Sequence, residues 1–92
     1  MSKATQEQVL SVVIEVLKGS SSMLDAYTDA ILMETDLVED LGLDSLRLVS
    51  ILSNLEDHYD IEFSVEDTDA RLFFKVADIV GVTLRTLNAE EA

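Results

Sequence analysis

Residues 40–46 read Asp40-Leu41-Gly42-Leu43-Asp44-Ser45-Leu46. A glycine punctuates a turn, an aspartate and a serine follow, and an apolar-periodic run starts directly afterwards. Asp and Ser are both favoured at helix N-caps, so a helix begins beside Ser45 and leaves its hydroxyl at the helix mouth. At about 100° per residue from Ser45 to Tyr59, Leu48, Val49, Ile51, Leu52, Leu55 and Tyr59 share one face. Arg47, Ser50, Ser53, Asn54, Asp57 and His58 share the other. Leu46 breaks the pattern, because it projects onto the polar face beside Ser45.

On the N-terminal side, Ala4 to Lys18 reads as a first helix. Thr5 followed by Gln8 fits a capping box. Val9, Leu10, Val12, Val13, Ile14, Val16 and Leu17 cover more than half of the helical wheel, a stripe wide enough to be buried against several neighbours. Gly19 is placed to end the helix. From Gly19 to Asp44 the chain is a long connection. Ser20, Ser21 and Ser22 read as loop, and Leu24 to Thr28 as a short turn. Met23, Leu24, Ile31, Leu32, Met33, Leu37, Val38 and Leu41 are expected to pin the segment.

On the C-terminal side, Ile61 to Phe74 is a second acidic connection. Glu66 to Leu72 is expected to form a short helix, with Ser64 as its cap and Asp67 in its first turn. Val76 to Leu87 reads as the last long helix. Its core side holds Val76, Ile79, Val80, Thr83, Leu84 and Leu87, with Asp78 and Arg85 facing out. Residues 88–92 are expected to fray. No strand pattern and no internal repeat is present. The expected fold is all-α: one domain over residues 1–92, a small four-helix bundle of three long helices and one short one.

The chain carries a formal net charge of −13, and it is localised. Asp25 to Asp69 holds 14 acidic residues and one basic residue, Arg47, whereas the remainder holds five of each. Such a field repels nucleic acid and attracts basic protein surfaces. Hydrophobic residues make up 48%, too many for a disordered acidic tail. No basic-then-apolar signal segment opens the chain and no apolar run is long enough to span a bilayer. A soluble, cytoplasmic monomer is expected. There is no cysteine, which excludes disulfides, thiolate metal sites and cysteine nucleophiles.

Serine catalysis fails on geometry. The only histidine, His58, lies on the same helix as Ser45. At the helical rise the two stand roughly 20 Å apart, and no nucleophile-elbow pattern surrounds the serine. Asp36, Glu39, Asp40 and Asp44 do not match an EF-hand loop, and no glycine-rich phosphate cradle exists. The chain therefore reads as a non-enzyme without a dedicated metal site.

The block around Ser45 extends well beyond one triplet. Asp36-Leu37-Val38-Glu39-Asp40-Leu41-Gly42 precedes Asp44-Ser45-Leu46. Val49, Leu52 and Leu55, then Glu56-Asp57, Tyr59-Asp60 and Ile61-Glu62-Phe63 follow. In order and spacing this block resembles the acyl carrier proteins. The resemblance implies that Ser45, with Asp44 beside it, carries 4′-phosphopantetheine taken from coenzyme A through a phosphodiester. A phosphopantetheinyl transferase would install it, and acyltransferase- and ketosynthase-type enzymes with basic patches would use it. Asp36, Glu39, Asp40, Leu46, Arg47, Ser50, Glu56 and Asp57 would form the partner-binding surface. Val49, Leu52, Leu55 and Ile79 would line the acyl chain or the core. A helix-mouth serine suits that role, since a phosphodiester there meets the positive end of the helix dipole.

The chain also departs from the family. Arg47 and Ser50 stand where fatty-acid-type carriers usually have acidic residues. Phe73-Phe74-Lys75 replaces a Thr/Ser-rich turn, and Ser64 replaces a usual proline. These differences bear on the partner set and favour a specialised pathway, such as polyketide or modified fatty acyl synthesis, over housekeeping fatty acid synthesis. Two alternatives stand beside this reading. A peptidyl carrier of nonribosomal synthesis usually has a less acidic, glycine-rich approach to its serine. An acidic helical adaptor would bind a basic partner with no covalent arm.

Overall fold

A computed structural model describes residues 5–19 and 31–91. Three α-helices run along them: α1 (Gln6–Gly19), α2 (Ser45–Tyr59) and α3 (Val76–Glu91). Two short 3-10 turns, Glu66–Thr68 and Ala70–Leu72, lie between α2 and α3. Among the described residues there is no strand, only one isolated antiparallel bridge between Asp36 and Lys75.

The capping box of α1 forms as the sequence predicts. The Thr5 N–H donates to Gln8 Oε1 at 2.9 Å, and the Gln8 N–H donates to Thr5 Oγ1 at 3.2 Å. Val9, Val13 and Leu17 recur every fourth residue and are fully buried. Leu10, Val12, Ile14 and Val16 pack around them, partly buried, as the wide stripe requires. This face lies mainly on α3 and to a smaller extent on α2.

The core is completed by Leu48, Ile51, Leu52 and Leu55 of α2 and by Val76, Ile79, Val80 and Val82 of α3. Loop residues Ile31, Leu37, Leu41, Leu43, Phe63 and Phe73 close it. Thr83 is buried among them without penalty, because its hydroxyl donates to the Ile79 carbonyl at 2.8 Å.

Residues 31–43 form the connection that delivers Ser45. They hold together by serving the start of α3, whose first N–H groups lack intrahelical partners. The Val76 N–H donates to the Thr35 carbonyl at 3.0 Å and the Ala77 N–H to the Met33 carbonyl at 2.8 Å. In return the Leu37 N–H donates to the Phe74 carbonyl at 2.9 Å. Lys75 occupies the N-cap position and cannot accept a bond through its side chain. Asp78, at the third helical position, folds back on the cap instead, its Oδ2 taking the Phe74 and Lys75 N–H groups, both at 2.9 Å. The sequence placed Asp78 on the outer face, and the capping role adds to that placement. The expected turn at 24–28, the loop serines 20–22 and the anchors Met23 and Leu24 lie outside the described residues.

The expected short helix over 66–72 is replaced by the two 3-10 turns. Local side-chain bonds compete with an α-helix there. Ser64 Oγ accepts from the Asp67 N–H at 3.1 Å, as the predicted cap does. Thr68 Oγ1, however, turns back to the Ser64 and Val65 carbonyls. Asp69 is extended and takes the Arg71 N–H and guanidinium. Those bonds to Arg71 hold the Asp69 carboxyl down at about 2. The segment also lacks an apolar face to bury, Leu72 being 53% exposed, so packing gives a full helix no support. The last helix runs to Glu91, beyond the Leu87 expected from periodicity.

The turn into α2 depends on Gly42, whose φ of +66° is left-handed although open space surrounds its missing Cβ. Gly42→Ala is therefore expected to destabilise the fold through backbone strain alone, by about 1–2 kcal/mol. Urea denaturation checks this, and an unchanged midpoint would show that the turn relaxes.

Candidate functional site

Asp36 and Asp40 build the turn that presents Ser45. Asp36 Oδ1 accepts from the Val38 and Glu39 N–H groups at 2.9 and 2.8 Å. Asp40 Oδ2 accepts from the Asp36 N–H at 2.8 Å. The Gly42 N–H closes on the Val38 carbonyl and the Leu43 N–H on the Leu37 carbonyl, each at 2.9 Å. Leu43 sinks into the core, and the chain emerges at Asp44 in an extended conformation.

Asp44 is the N-cap of α2. Its Oδ1 accepts from the Arg47 N–H at 2.8 Å, and its carbonyl takes the Leu48 N–H at 3.0 Å. That settles which of the two candidate residues caps the helix, and it leaves Ser45 as the first helical residue, exposed. No hydrogen bond among the described residues engages the Ser45 or Leu46 N–H, so both remain available to an anion at the helix start. Beside the serine lies a pocket of about 300 Å³, lined by Leu37, Val38, Leu43, Asp44, Ser45, Leu48 and Phe73. A primary hydroxyl, free N–H donors and an apolar recess suit a phosphodiester carrying a flexible arm with an apolar load.

The other sequence-predicted residues divide by what they do. Glu56 reaches from α2 to the Phe63 N–H at 2.8 Å and latches residues 61–63 onto the helix. Asp36, Asp40 and Asp44 likewise hold backbone as well as carrying charge. Glu39, Asp57, Arg47 and Ser50 are exposed. Leu46 is 80% exposed, on the polar side the helical phase assigned to it. Asp44, Leu46, Arg47 and Ser50 surround one open depression.

Leu52, Leu55 and Ile79 are buried core residues, but Val49 is 54% exposed and leaves the core face expected of it. It sits at the edge of the apolar stripe, about 40° round the helix from Ser45, where the core no longer covers it. None of Val49, Leu52, Leu55 and Ile79 lines the recess beside the serine. Leu37, Leu43 and Leu48 do, and their apolar character near the serine was a readable signal. Phe73, from the far end of the next connection, had no local signal. His58 is exposed, its ring edge-on to Tyr59 with centroids 4.8 Å apart.

The middle of the chain holds 14 acidic residues against one basic one between Asp25 and Asp69. Asp69 pairs with Arg71 at 2.7 Å and Asp67 with Arg85 at 3.6 Å, both largely in solvent, where ion pairs contribute little. Self-repulsion is thus expected to lower stability at low ionic strength. Raising salt to physiological strength or adding magnesium should raise the Tm, since screening shortens the reach of the field. A Tm indifferent to both would contradict this.

The chain matches the family model described as "Phosphopantetheine attachment site" over residues 7–71. It is 40% identical over 78 residues to an acyl carrier protein of Campylobacter jejuni (strain RM1221), covering 85% of this chain and 90% of that one. An acyl carrier protein of Campylobacter lari is 36% identical over 67 residues, 73% of this chain and 84% of the relative. One from an Exiguobacterium species is 34% identical over 77 residues, 84% and 91% respectively. No solved structure matches. Among the described residues no helix is long and apolar enough to cross a membrane. With the matched span running through the helix-mouth serine, the chain belongs to the acyl carrier proteins, non-enzymatic carriers whose prosthetic group is covalently attached 4′-phosphopantetheine.

Proposed function

We propose that Ser45 is the attachment point and that the chain shuttles acyl thioesters between enzymes of a specialised pathway. The observation that carries the first part is the exposed Ser45 hydroxyl at the start of α2, beside an apolar recess and beside N–H groups that no hydrogen bond among the described residues uses. Transfer forms a phosphodiester between Ser45 Oγ and the phosphopantetheinyl group of coenzyme A, with 3′,5′-ADP leaving. The bound arm then supplies a thiol for the acyl thioester. The chain supports this by holding no cysteine of its own that could compete for the acyl group. The recess of Leu37, Val38, Leu43, Leu48 and Phe73 is where an apolar load can leave water. Its volume stands at the low end of the roughly 300–1,000 Å³ typical of small-molecule sites, which suits a short load. Incubation with a phosphopantetheinyl transferase and coenzyme A, read by intact mass and peptide mapping, tests the site. An arm mapped to any other serine removes it.

The pathway reading rests on Arg47 and Ser50, which break the acidity just after the serine, and on the aromatic Phe73 in the recess. We place the working protein in the cytoplasm as a monomer, visited by enzymes with basic docking patches. Arg47→Glu is expected to improve acylation by a generic fatty-acid transferase and to impair it by the cognate enzyme. The two rates are compared at fixed ionic strength. A change of equal size in both, or in neither, would make Arg47 ordinary surface and remove the main support for a specialised partner set.

A further inference from the structure

The recess beside Ser45 has a rim and a floor of different character. Val38, Asp44 and Ser45 form the rim and are exposed. Leu37, Leu43, Leu48 and Phe73 form the floor, each 6% exposed or less. No floor side chain carries a polar atom, so a keto or hydroxyl group resting there would find no side-chain partner. Phe73 is the largest of the four, and it comes from the connection before α3. Ile51 and Leu55 of α2 and Ile79 of α3 are fully buried in the interior of the bundle, and none of them lines the recess. The recess therefore ends at its floor and does not open into the space between the helices.

The backbone next to Phe73 is held on both sides. The Phe74 N–H donates to Asp78 Oδ2 at 2.9 Å, and the Phe74 carbonyl accepts from the Leu37 N–H at 2.9 Å. The second bond ties the segment that carries Phe73 to the Leu37 wall across the recess. The floor is thus braced against opening, and the volume above it bounds what it can take. An apolar cavity of about 150 Å³ admits benzene, with its six carbons. On that scale a recess of about 300 Å³ holds about twelve non-hydrogen atoms. The thioester and the end of the arm take about four of those places, which leaves about eight carbons for the load.

We infer that Phe73 sets the length of acyl group this carrier shelters, by closing the floor of the recess to apolar loads longer than about eight carbons. The outer part of a longer chain stays in water. The inference rests on Ser45 as the attachment point, since the arm then starts at the rim.

A phosphopantetheinyl transferase is supplied with butyryl-, hexanoyl-, octanoyl-, decanoyl-, dodecanoyl- or hexadecanoyl-coenzyme A, for wild type and for Phe73→Val, Phe73→Ala and Phe74→Val. Each product is confirmed by intact mass and peptide mapping. Its Tm is then compared with that of the same protein bearing the unacylated arm. In wild type the Tm is expected to rise by about 5–10 °C from butyryl to octanoyl as the load leaves water, then to stay within about 2 °C through hexadecanoyl. Phe73→Val opens part of the floor and should move the plateau to decanoyl. Phe73→Ala removes the whole ring and should move it to dodecanoyl, the load filling the cavity that the substitution leaves. Phe74→Val alters a side chain that is 64% exposed and should keep the plateau at octanoyl. A wild-type Tm that goes on rising to hexadecanoyl, or that ignores load length, would overturn the inference. So would a plateau that stays at octanoyl in the Phe73 variants. The wild-type series needs no substitution, and Phe73→Val is the milder change should Phe73→Ala not fold. An arm attached to another serine shows separately, in the peptide map.

Discussion

Ser45→Ala is expected to abolish phosphopantetheine attachment while leaving the helices intact. The modified atom must be a hydroxyl that a foreign active site can surround, and Ser45 offers one at the first position of α2. No hydrogen bond within the described residues uses its side chain, so alanine leaves no buried group unpaired. Surface substitutions of this kind usually stay within about ±0.5 kcal/mol. The cap survives as well, because Asp44 and not Ser45 closes the helix start. Loss of modification with an unchanged far-UV spectrum and urea midpoint is thus loss of the acceptor. Ser50 and Ser53, exposed on the same helix, are internal controls and should stay unmodified. An alanine variant that still gains the arm would remove Ser45 as the site, although the chain would remain a member of its family.

The site was legible in the sequence where local rules decide structure. The bounds of α2, the Thr5–Gln8 box and the exposure of Leu46 all follow from spacing and capping chemistry, which depend on a few adjacent residues. What the sequence hid depends on distant contacts. Val49 has the right residue type for the core, but its edge position on the stripe left its burial to a neighbouring element. The 61–68 connection stops short of covering it. Phe73 joins the recess at Ser45 only because the Leu37 N–H pairs with the Phe74 carbonyl, a bond between segments more than thirty residues apart. Residues 66–72 have helix-compatible composition, yet Thr68 and Asp69 divert their bonds locally and no apolar face pulls the segment inward. The dual use of Asp36, Asp40 and Glu56, as charge and as backbone clamp, was equally invisible to a count of acids. Substituting any of them tests stability as much as recognition, so partner surfaces are better probed at Leu46, Arg47 and Ser50, whose side chains are exposed.

The same helix supplies a comparison with a large expected effect. Leu55 and Leu46 are chemically identical and nine residues apart, so their phases differ by about 180°. Leu55 is fully buried in the α1–α2–α3 core, whereas Leu46 is 80% exposed. Leu55→Ala removes buried methyl groups and leaves a cavity that the helices can only partly close, a loss of about 2–5 kcal/mol. Against a total stability on the order of 5–15 kcal/mol, that shift is large and will move the urea midpoint strongly or unfold the domain at 37 °C. Leu46→Ala removes the same atoms from water, where surface changes usually stay within about ±0.5 kcal/mol. Its effect is expected in function, as slower transfer of the arm or of acyl groups by enzymes that bear on the outer face of α2. Leu55→Ala at a temperature where it stays folded should keep its transfer rate, because Leu55 touches no solvent-facing surface. Equal destabilisation by the two variants would place Leu46 in the core and shift the phase of α2. A folded Leu46→Ala carrier with unchanged transfer rates would leave that leucine without a role in docking.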